Sequence, residues 1–232
     1  FKIVFDCIMI KFLCFKAYKL ILPRNAQSMG GDHGMQSSCV LEAFFVQCEY
    51  IEVKDMNFVA MDFETANAKR ASACSIALAI VRDNQVAHEF YSLINPEMEF
   101  SWRNINVHGI HEKDVVDAPT FPEVWDHIAP LFTANKLVIA HNAALDNSVL
   151  KRTLERYDVN PPHYLTLDTL RTSKRFYPTL ENHKLNTLCE KLHIELEHHH
   201  NALDDSVACA NILLTEQQQF GSEALREFVK AI

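Results

Sequence analysis

Three closely spaced apolar segments, followed by short apolar segments that alternate with amphipathic ones, limit the folds open to this chain. Residues 57–63, 73–81 and 86–94 have the length and content of strands, and Arg82-Asp83-Asn84 is a turn signal between the second and the third. Consecutive strands joined by such short connections pair antiparallel. The chain is therefore predicted to open its sheet with a three-stranded antiparallel meander.

The pattern changes after residue 100, where helical segments enclose two further short apolar segments. Thr120 and Glu123 have the spacing of a capping box, and Pro122 lies near the first helical position. Short strands are predicted at 137–140 and 164–167, and helices at 104–115, 120–132, 144–157, 169–176, 184–192 and 203–218. The predicted fold class is α/β, with a mixed sheet flanked by helices.

The first 55 residues lack this regularity. The apolar stretch 1–22 is interrupted by charges so often that no uncharged run exceeds four residues, whereas a membrane-spanning helix needs about 20 apolar residues. No membrane association is expected. We predict an N-terminal extension over residues 1–55, without a catalytic role or poorly ordered, and a folded domain over 56–232. A partner-binding or membrane-surface segment is the alternative for the extension.

The cysteines and the net charge limit the kinds of protein that this chain can be. The seven cysteines are odd in number and contain no C-x-x-C pair, which argues against a disulfide framework or zinc site and favours a reducing, cytoplasmic location. The net charge of −8 has the wrong sign for gripping nucleic acid by bulk electrostatics. Phosphate binding therefore requires local basic groups or bound metal ions.

A pair of carboxylates closes the first predicted strand. Asp62 and Glu64 are two residues apart, so both side chains leave the same face of the strand. Two adjacent carboxylates repel each other unless a cation lies between them. A metal site is one explanation, and a solvent-exposed edge carrying two charges is the other.

Two further aspartates each fall in the first turn of a predicted helix. Asp146 ends the segment His141-Asn142-Ala143-Ala144-Leu145-Asp146, and stabilisation of the helix dipole alone would explain it. Asp205 lies five residues after His200, whose imidazole can accept a proton from water near neutral pH. For the run 198–200, a solvated loop or an incidental transition-metal site is the alternative.

Together these segments carry a family resemblance. Asp62-Phe63-Glu64-Thr65 resembles the D-x-E-T motif of the DEDDh 3′–5′ exonucleases, residues 141–146 resemble H-N-x-x-x-D, and residues 200–205 resemble H-x-A-x-x-D. Residues 107–110 and 167–170 resemble two lesser family segments, H-G-I and D-T-L. The resemblance covers about residues 57–215 and is closest to relatives of the epsilon proofreading subunit of DNA polymerase III. Leu145 stands where many members carry Phe.

The resemblance implies a ribonuclease-H-like fold and two divalent ions, Mg²⁺ or Mn²⁺, that stabilise the attacking and leaving oxygens. Asp62 would bridge both ions, Glu64 and Asp205 would complete the shell of one, and Asp146 would bind or orient the second. His200 would be the general base. The expected reaction is hydrolysis at the 3′ end of a nucleic acid, with release of nucleoside 5′-monophosphates.

Substrate contacts follow from the same resemblance and from base stacking on apolar side chains. Phe63 and Ile110 are expected to contact the terminal base, and Thr65 and Asn142 the terminal sugar or the metal site. A basic cluster is expected to steady the strand backbone: Arg171, Lys174, Arg175 and Lys184.

The expected substrate is a single-stranded 3′ end, with DNA favoured over RNA, and the expected partner is a DNA polymerase or another replication or repair protein. The alternatives are an RNA-trimming exoribonuclease of the same family, a catalytically silent nucleic-acid-binding module, and a histidine-rich transition-metal binder.

Overall fold

A computed structural model describes residues 55–232 and shows a mixed six-stranded sheet in the order β3-β2-β1-β4-β5-β6. The first three strands pair antiparallel, β4 pairs parallel with both β1 and β5, and β6 pairs antiparallel with β5. The strands are β1 (Phe58–Thr65), β2 (Ala73–Arg82), β3 (Gln85–Leu93), β4 (Leu137–Ala140), β5 (Leu165–Asp168) and β6 (Lys230–Ala231). The predicted α/β class, with its meander and short parallel strands, is confirmed.

Eight α-helices accompany the sheet within the described residues. They are α1 (Trp102–His108), α2 (Glu112–Val115), α3 (Phe121–Ile128), α4 (Ala143–Arg156), α5 (Thr169–Phe176), α6 (Leu185–Leu192), α7 (Ala202–Phe220) and α8 (Ser222–Arg226). The predicted capping box is present, since the backbone N–H of Thr120 donates to Glu123 Oε2 at 2.7 Å.

Two predicted helices differ from the structure by more than two residues at one end or by an internal break. The helix expected over 104–115 is split into α1 and α2 because Gly109 adopts a left-handed conformation (φ 75°) that ends α1. The helix expected to reach residue 132 ends at Ile128 and continues as a 3₁₀ turn, Ala129–Leu131. Pro130 has no N–H for the next α-helical hydrogen bond, which explains the early end.

The sheet separates two cores because side chains alternate along β1. Met61 and Phe63 pack on one face among residues of α3 and α4. Phe58 and Ala60 pack on the other face against α6 and α7. By the same alternation, Asp62 and Glu64 leave β1 on the face that α7 covers.

The C-terminal elements α8 and β6 were not predicted from the sequence. β6 has two residues, too few for any periodicity, and it is defined by its pairing with Leu165 and Thr166. The predicted extension over residues 1–55 lies outside the described residues except for Asp55. Among residues 55–232, Cys74, Cys189 and Cys209 are buried free thiols. No helix in this part of the chain has the length and hydropathy to cross a membrane.

Candidate active site

The centre of the site is a group of three carboxylates from two elements. Asp62 and Glu64 come from the end of β1, and Asp205 comes from the first turn of α7, which packs across β1 and β2. One oxygen from each lies within 4.8 Å of the others. The start of α7 is set by Asn201, whose side chain caps the helix by accepting from the backbone of Leu203 at 3.0 Å.

The electrostatics of this group favour a bound cation. Burial, together with the charges of Asp146, Glu64 and Asp205, raises the pKa of Asp62 well above its usual value. Burial and the neighbouring carboxylates raise the pKa of Glu64 to about 8. These carboxylates would repel each other in their ionised forms, and hard oxygen donors of this kind suit Mg²⁺ or Mn²⁺. The donor set therefore fits divalent cations.

Asp146 approaches from the opposite face of the sheet. It is buried in the first turn of α4, and its Oδ1 accepts a hydrogen bond from the backbone N–H of Phe63 at 3.2 Å. Burial raises the pKa of Asp146 to about 7, although this hydrogen bond opposes the effect. Asp146 thus lies beside Asp62 and Glu64 along β1, but outside the group of three oxygens.

The segment before α4 is anchored to the next strand. Asn142 has a left-handed backbone (φ 71°), and its N–H donates to Asp168 Oδ1 at 2.9 Å. The ring of His141 bridges Thr169 Oγ1 at 3.0 Å and the carbonyl oxygen of His183 at 2.9 Å. The second motif is therefore tied to α5 and to the loop that precedes Lys184. The Asn142 side chain is exposed, and its expected substrate contact stays a prediction.

The third motif places two imidazoles near Asp205. The backbone N–H of His200 donates to Asp205 Oδ2 at 3.0 Å, and His199 Nδ1 lies 3.1 Å from Asp205 Oδ1. The two rings stack with their centroids 3.9 Å apart. Partial burial, and then the neighbouring His199, lower the pKa of His200, which favours its neutral form. Neither the side-chain contact of His199 with Asp205 nor the left-handed backbone of His200 (φ 71°) was predicted from the sequence.

The expected substrate residues occupy different environments. Phe63 is only 7% exposed and packs against Phe121 with the ring centroids 6.2 Å apart, so most of its ring lies in the core, and its expected contact with a base stays a prediction. Ile110 is half-buried, and its N–H donates to His108 Nδ1 at 3.0 Å. The backbone oxygen of Thr65 accepts from Asn104 Nδ2 at 2.8 Å.

His108, the histidine of the H-G-I segment, also contacts Thr65. His108 Nε2 lies 3.2 Å from the carbonyl oxygen of Thr65. Since a carbonyl only accepts, Nε2 carries the proton and Nδ1 accepts from the N–H of Ile110. His108 belongs to the H-G-I segment, whereas no sequence motif includes Asn104.

Comparisons with known proteins agree with this geometry. The family model described as Exonuclease (RNase_T) matches residues 59–213. The chain is 33% identical over 202 residues to the PolC-type DNA polymerase III of Oceanobacillus iheyensis, and 32% identical over 204 residues to that of Bacillus subtilis. Each alignment covers 82% of this chain but only 14% of the polymerase. The chain thus spans about one seventh of the length of these relatives.

Solved structures share the fold at low sequence identity. Exonuclease X in complex with 5′ overhanging duplex DNA has a TM-score of 0.60 and 22% identity, over 74% of this chain and 98% of that one. The nuclease domain of a DEDDh family member bound to rAMP has a TM-score of 0.60 and 19% identity, over 72% and 94% of the two chains. E. coli exonuclease I with a dA16 oligonucleotide has a TM-score of 0.64 and 16% identity, over 74% and 42%.

The family match covers more than half of the chain and includes all three acidic motifs. The family depends on divalent metal ions, in agreement with the carboxylate group. This chain belongs to the exonuclease family, and its three acidic motifs resemble those of the DEDDh type.

Proposed function

We propose that this chain removes nucleotides from the 3′ end of single-stranded DNA, using two divalent ions, Mg²⁺ or Mn²⁺, and releasing nucleoside 5′-monophosphates. The observation that carries the proposal is the group formed by Asp62, Glu64 and Asp205, whose oxygens lie within 4.8 Å of one another. Burial and neighbouring carboxylates raise the pKa values of Asp62 and Glu64, which supports a counter-ion at this group.

Each of the four acidic residues would have its own role in binding the two ions. Asp62 would contact both ions, Glu64 and Asp205 would complete the shell of one, and Asp146 would orient the second from the opposite face. Bound divalent ions would offset the carboxylate charges, attract the phosphate and polarise its oxygens. The net charge of −8 is then no obstacle to a nucleic-acid substrate.

His200 would take the proton from the attacking water. Its lowered pKa keeps the imidazole neutral near pH 7, which is the form that accepts a proton. Its backbone N–H is held by Asp205, so the base is tethered to a ligand residue. His199 would hydrogen-bond to the other carboxylate oxygen of Asp205 and so restrict the rotation of that carboxylate.

Contacts to the strand would come from three places. Ile110 would contact the terminal base, and Thr65 and Asn142 would lie near its sugar. Four exposed cations would contact the backbone phosphates, and none of them pairs with a carboxylate of residues 55–232: Arg171, Lys174, Arg175 and Lys184. Phosphate contacts of this kind provide affinity without sequence preference.

DNA is favoured over RNA because the relatives are DNA polymerases and because exonuclease X and exonuclease I were solved with DNA. The rAMP-bound DEDDh structure keeps RNA trimming as the second candidate. In the relatives this domain forms part of a polymerase, so we propose a DNA polymerase or another replication or repair protein as partner. A cytoplasmic location and the role of residues 1–55 stay predictions.

The test is digestion of 3′-labelled DNA and RNA oligomers side by side, in Mg²⁺, in Mn²⁺ and in EDTA. We expect digestion from the 3′ end in both metals, faster for DNA, and none in EDTA. Asp62→Asn should reduce digestion to the EDTA level, whereas Asp126→Asn, at an exposed position on α3, should not. Full activity of Asp62→Asn would refute the proposed site, and faster RNA digestion would favour the second candidate.

A further inference from the structure

The most exposed large apolar side chain among the described residues is that of Trp102, at the start of α1. It is 67% exposed, and α1 has no buried residue. A tryptophan in this state is unusual, since its large apolar area normally lies mostly inside a protein. The folding of α1 does not require the indole, because the helix is held by polar contacts instead.

Those polar contacts fix α1 to the end of β1, next to the carboxylate group. The backbone N–H of Ser101 donates to the carbonyl oxygen of Ala66 at 2.8 Å, which places Trp102 beside a residue only two positions after Glu64. Asn104 Nδ2 contacts both Thr65 oxygens, at 2.8 and 3.1 Å. The segment that carries the indole is thus hydrogen-bonded to the end of the proposed metal-binding strand.

A cation accompanies the indole. The guanidinium carbon of Arg103 lies 5.6 Å from the centre of a Trp102 ring, within the range of a cation–π contact. Arg103 is exposed and forms no ion pair with a carboxylate in the part of the chain that the structure describes. An aromatic face beside an unpaired cation matches a nucleotide, which presents a flat base and a negative phosphate.

We propose that Trp102 and Arg103 form a stacking platform for a base upstream of the 3′-terminal nucleotide, with Arg103 contacting the neighbouring phosphate. The inference rests on the proposed function for its substrate class. The base is an upstream one because the terminal nucleotide must lie at the carboxylates for its bond to be cut. Stacking depends on the flat face that every base has, so the platform adds affinity without sequence or sugar preference.

Fluorescence provides a test that does not depend on turnover. The chain has two tryptophans, and the other one, Trp125, is buried against Phe121 and Phe132. The full chain is titrated with a phosphorothioate-linked dT decamer, which resists hydrolysis, and with a decamer that is abasic except at its 3′-terminal nucleotide. We expect the dT decamer to change the Trp102 emission strongly and the mostly abasic decamer to change it little. The response should vanish in Trp102→Phe.

Kinetics supply the second measurement. Trp102→Ala should lower kcat/KM on an unmodified dT decamer about tenfold, in line with base–aromatic stacking. Trp102→Phe should recover most of this loss, and Arg103→Gln should raise KM. The first cleavage of a phosphodiester-linked decamer that is abasic except at its 3′-terminal nucleotide, and so has no upstream base, should stay unchanged in both Trp102 variants. Val116→Ala is the control, because Val116 is also exposed, at 63%, but has no aromatic face.

Equal fluorescence responses to the two decamers, or an equal loss of both substrates in Trp102→Ala, would overturn the platform. If the wild-type chain hydrolyses neither substrate, the proposed function fails, whereas the fluorescence comparison still decides whether Trp102 stacks on an upstream base. The two failures are therefore distinguishable.

Discussion

Two glutamates offer a quantitative test of the metal site. The ionised form of each destabilises the folded protein, but only Glu64 lies beside other carboxylates. The pKa of Glu64 is raised to about 8 by burial and by its carboxylate neighbours. The pKa of Glu216, far along α7, is also raised to about 8, but by burial alone, and its Oε2 accepts from Thr172. We predict that Glu64→Gln and Glu216→Gln both stabilise the metal-free protein at pH 8.

The sign follows from proton linkage. The folded protein holds a proton on each glutamate up to about pH 8, whereas the unfolded chain releases it near pH 4.5. The folded state therefore binds more protons between these values, and its stability falls as pH rises through this interval. Below about pH 4.5 each glutamate costs nothing, and above about pH 8 the full cost is present.

The interval between the two pKa values sets the magnitude. At about 1.4 kcal/mol for each pH unit, the interval from 4.5 to about 8 corresponds to an upper limit of about 4–5 kcal/mol for each glutamate. Water reaches Glu64, which is only partly buried, so we expect about 2–3 kcal/mol there and somewhat more at the fully buried Glu216.

The assay is urea unfolding at pH 5 and pH 8, first in EDTA and then in saturating Mg²⁺. In EDTA, each variant should lose less stability than the wild type between the two pH values. In Mg²⁺, the wild type should regain stability at pH 8 because the cation binds the ionised Glu64 in the folded state only. Glu64→Gln should gain less stability from Mg²⁺ than the wild type and lose nuclease activity, whereas Glu216→Gln should keep the full Mg²⁺ gain and the activity.

Two outcomes would refute the reasoning. One is that Glu64→Gln in EDTA loses as much stability between pH 5 and pH 8 as the wild type does. This result would mean that Glu64 does not carry the repulsion. The other is an equal Mg²⁺ gain in Glu64→Gln and Glu216→Gln, which would place the cation elsewhere.

Two further predictions concern catalysis and strand binding. His200→Ala should lower kcat by about 10²–10⁴-fold, the usual contribution of a general base, while Mn²⁺ affinity measured by calorimetry stays within a few fold; an equal loss of both would assign His200 as a ligand. Replacing the exposed cations Arg171, Lys174 and Arg175 by Gln should raise KM for a DNA oligomer and reduce its salt dependence, since fewer phosphate contacts release fewer counter-ions. An unchanged salt slope would show that this helix face does not meet the strand.

Local geometry explains which features were predictable from the sequence. The common face of Asp62 and Glu64 follows from the two-residue period of a strand, and the positions of Asp146 and Asp205 follow from their places at the starts of α4 and α7. The meander follows from short connections between consecutive strands. Where local signals were weak, as at the two-residue β6, prediction failed.

The sequence by itself determined the acidic residues, their order and the family they indicate, because periodicity and motif spacing are properties of neighbouring residues. Only the tertiary structure decided that Asp205 meets Asp62 and Glu64 while Asp146 reaches the backbone of Phe63 from the opposite face. The tertiary structure also left Trp102 exposed beside β1, through hydrogen bonds between residues 39 positions apart. Contacts across such separations depend on how the sheet and helices pack, and no local pattern encodes that packing.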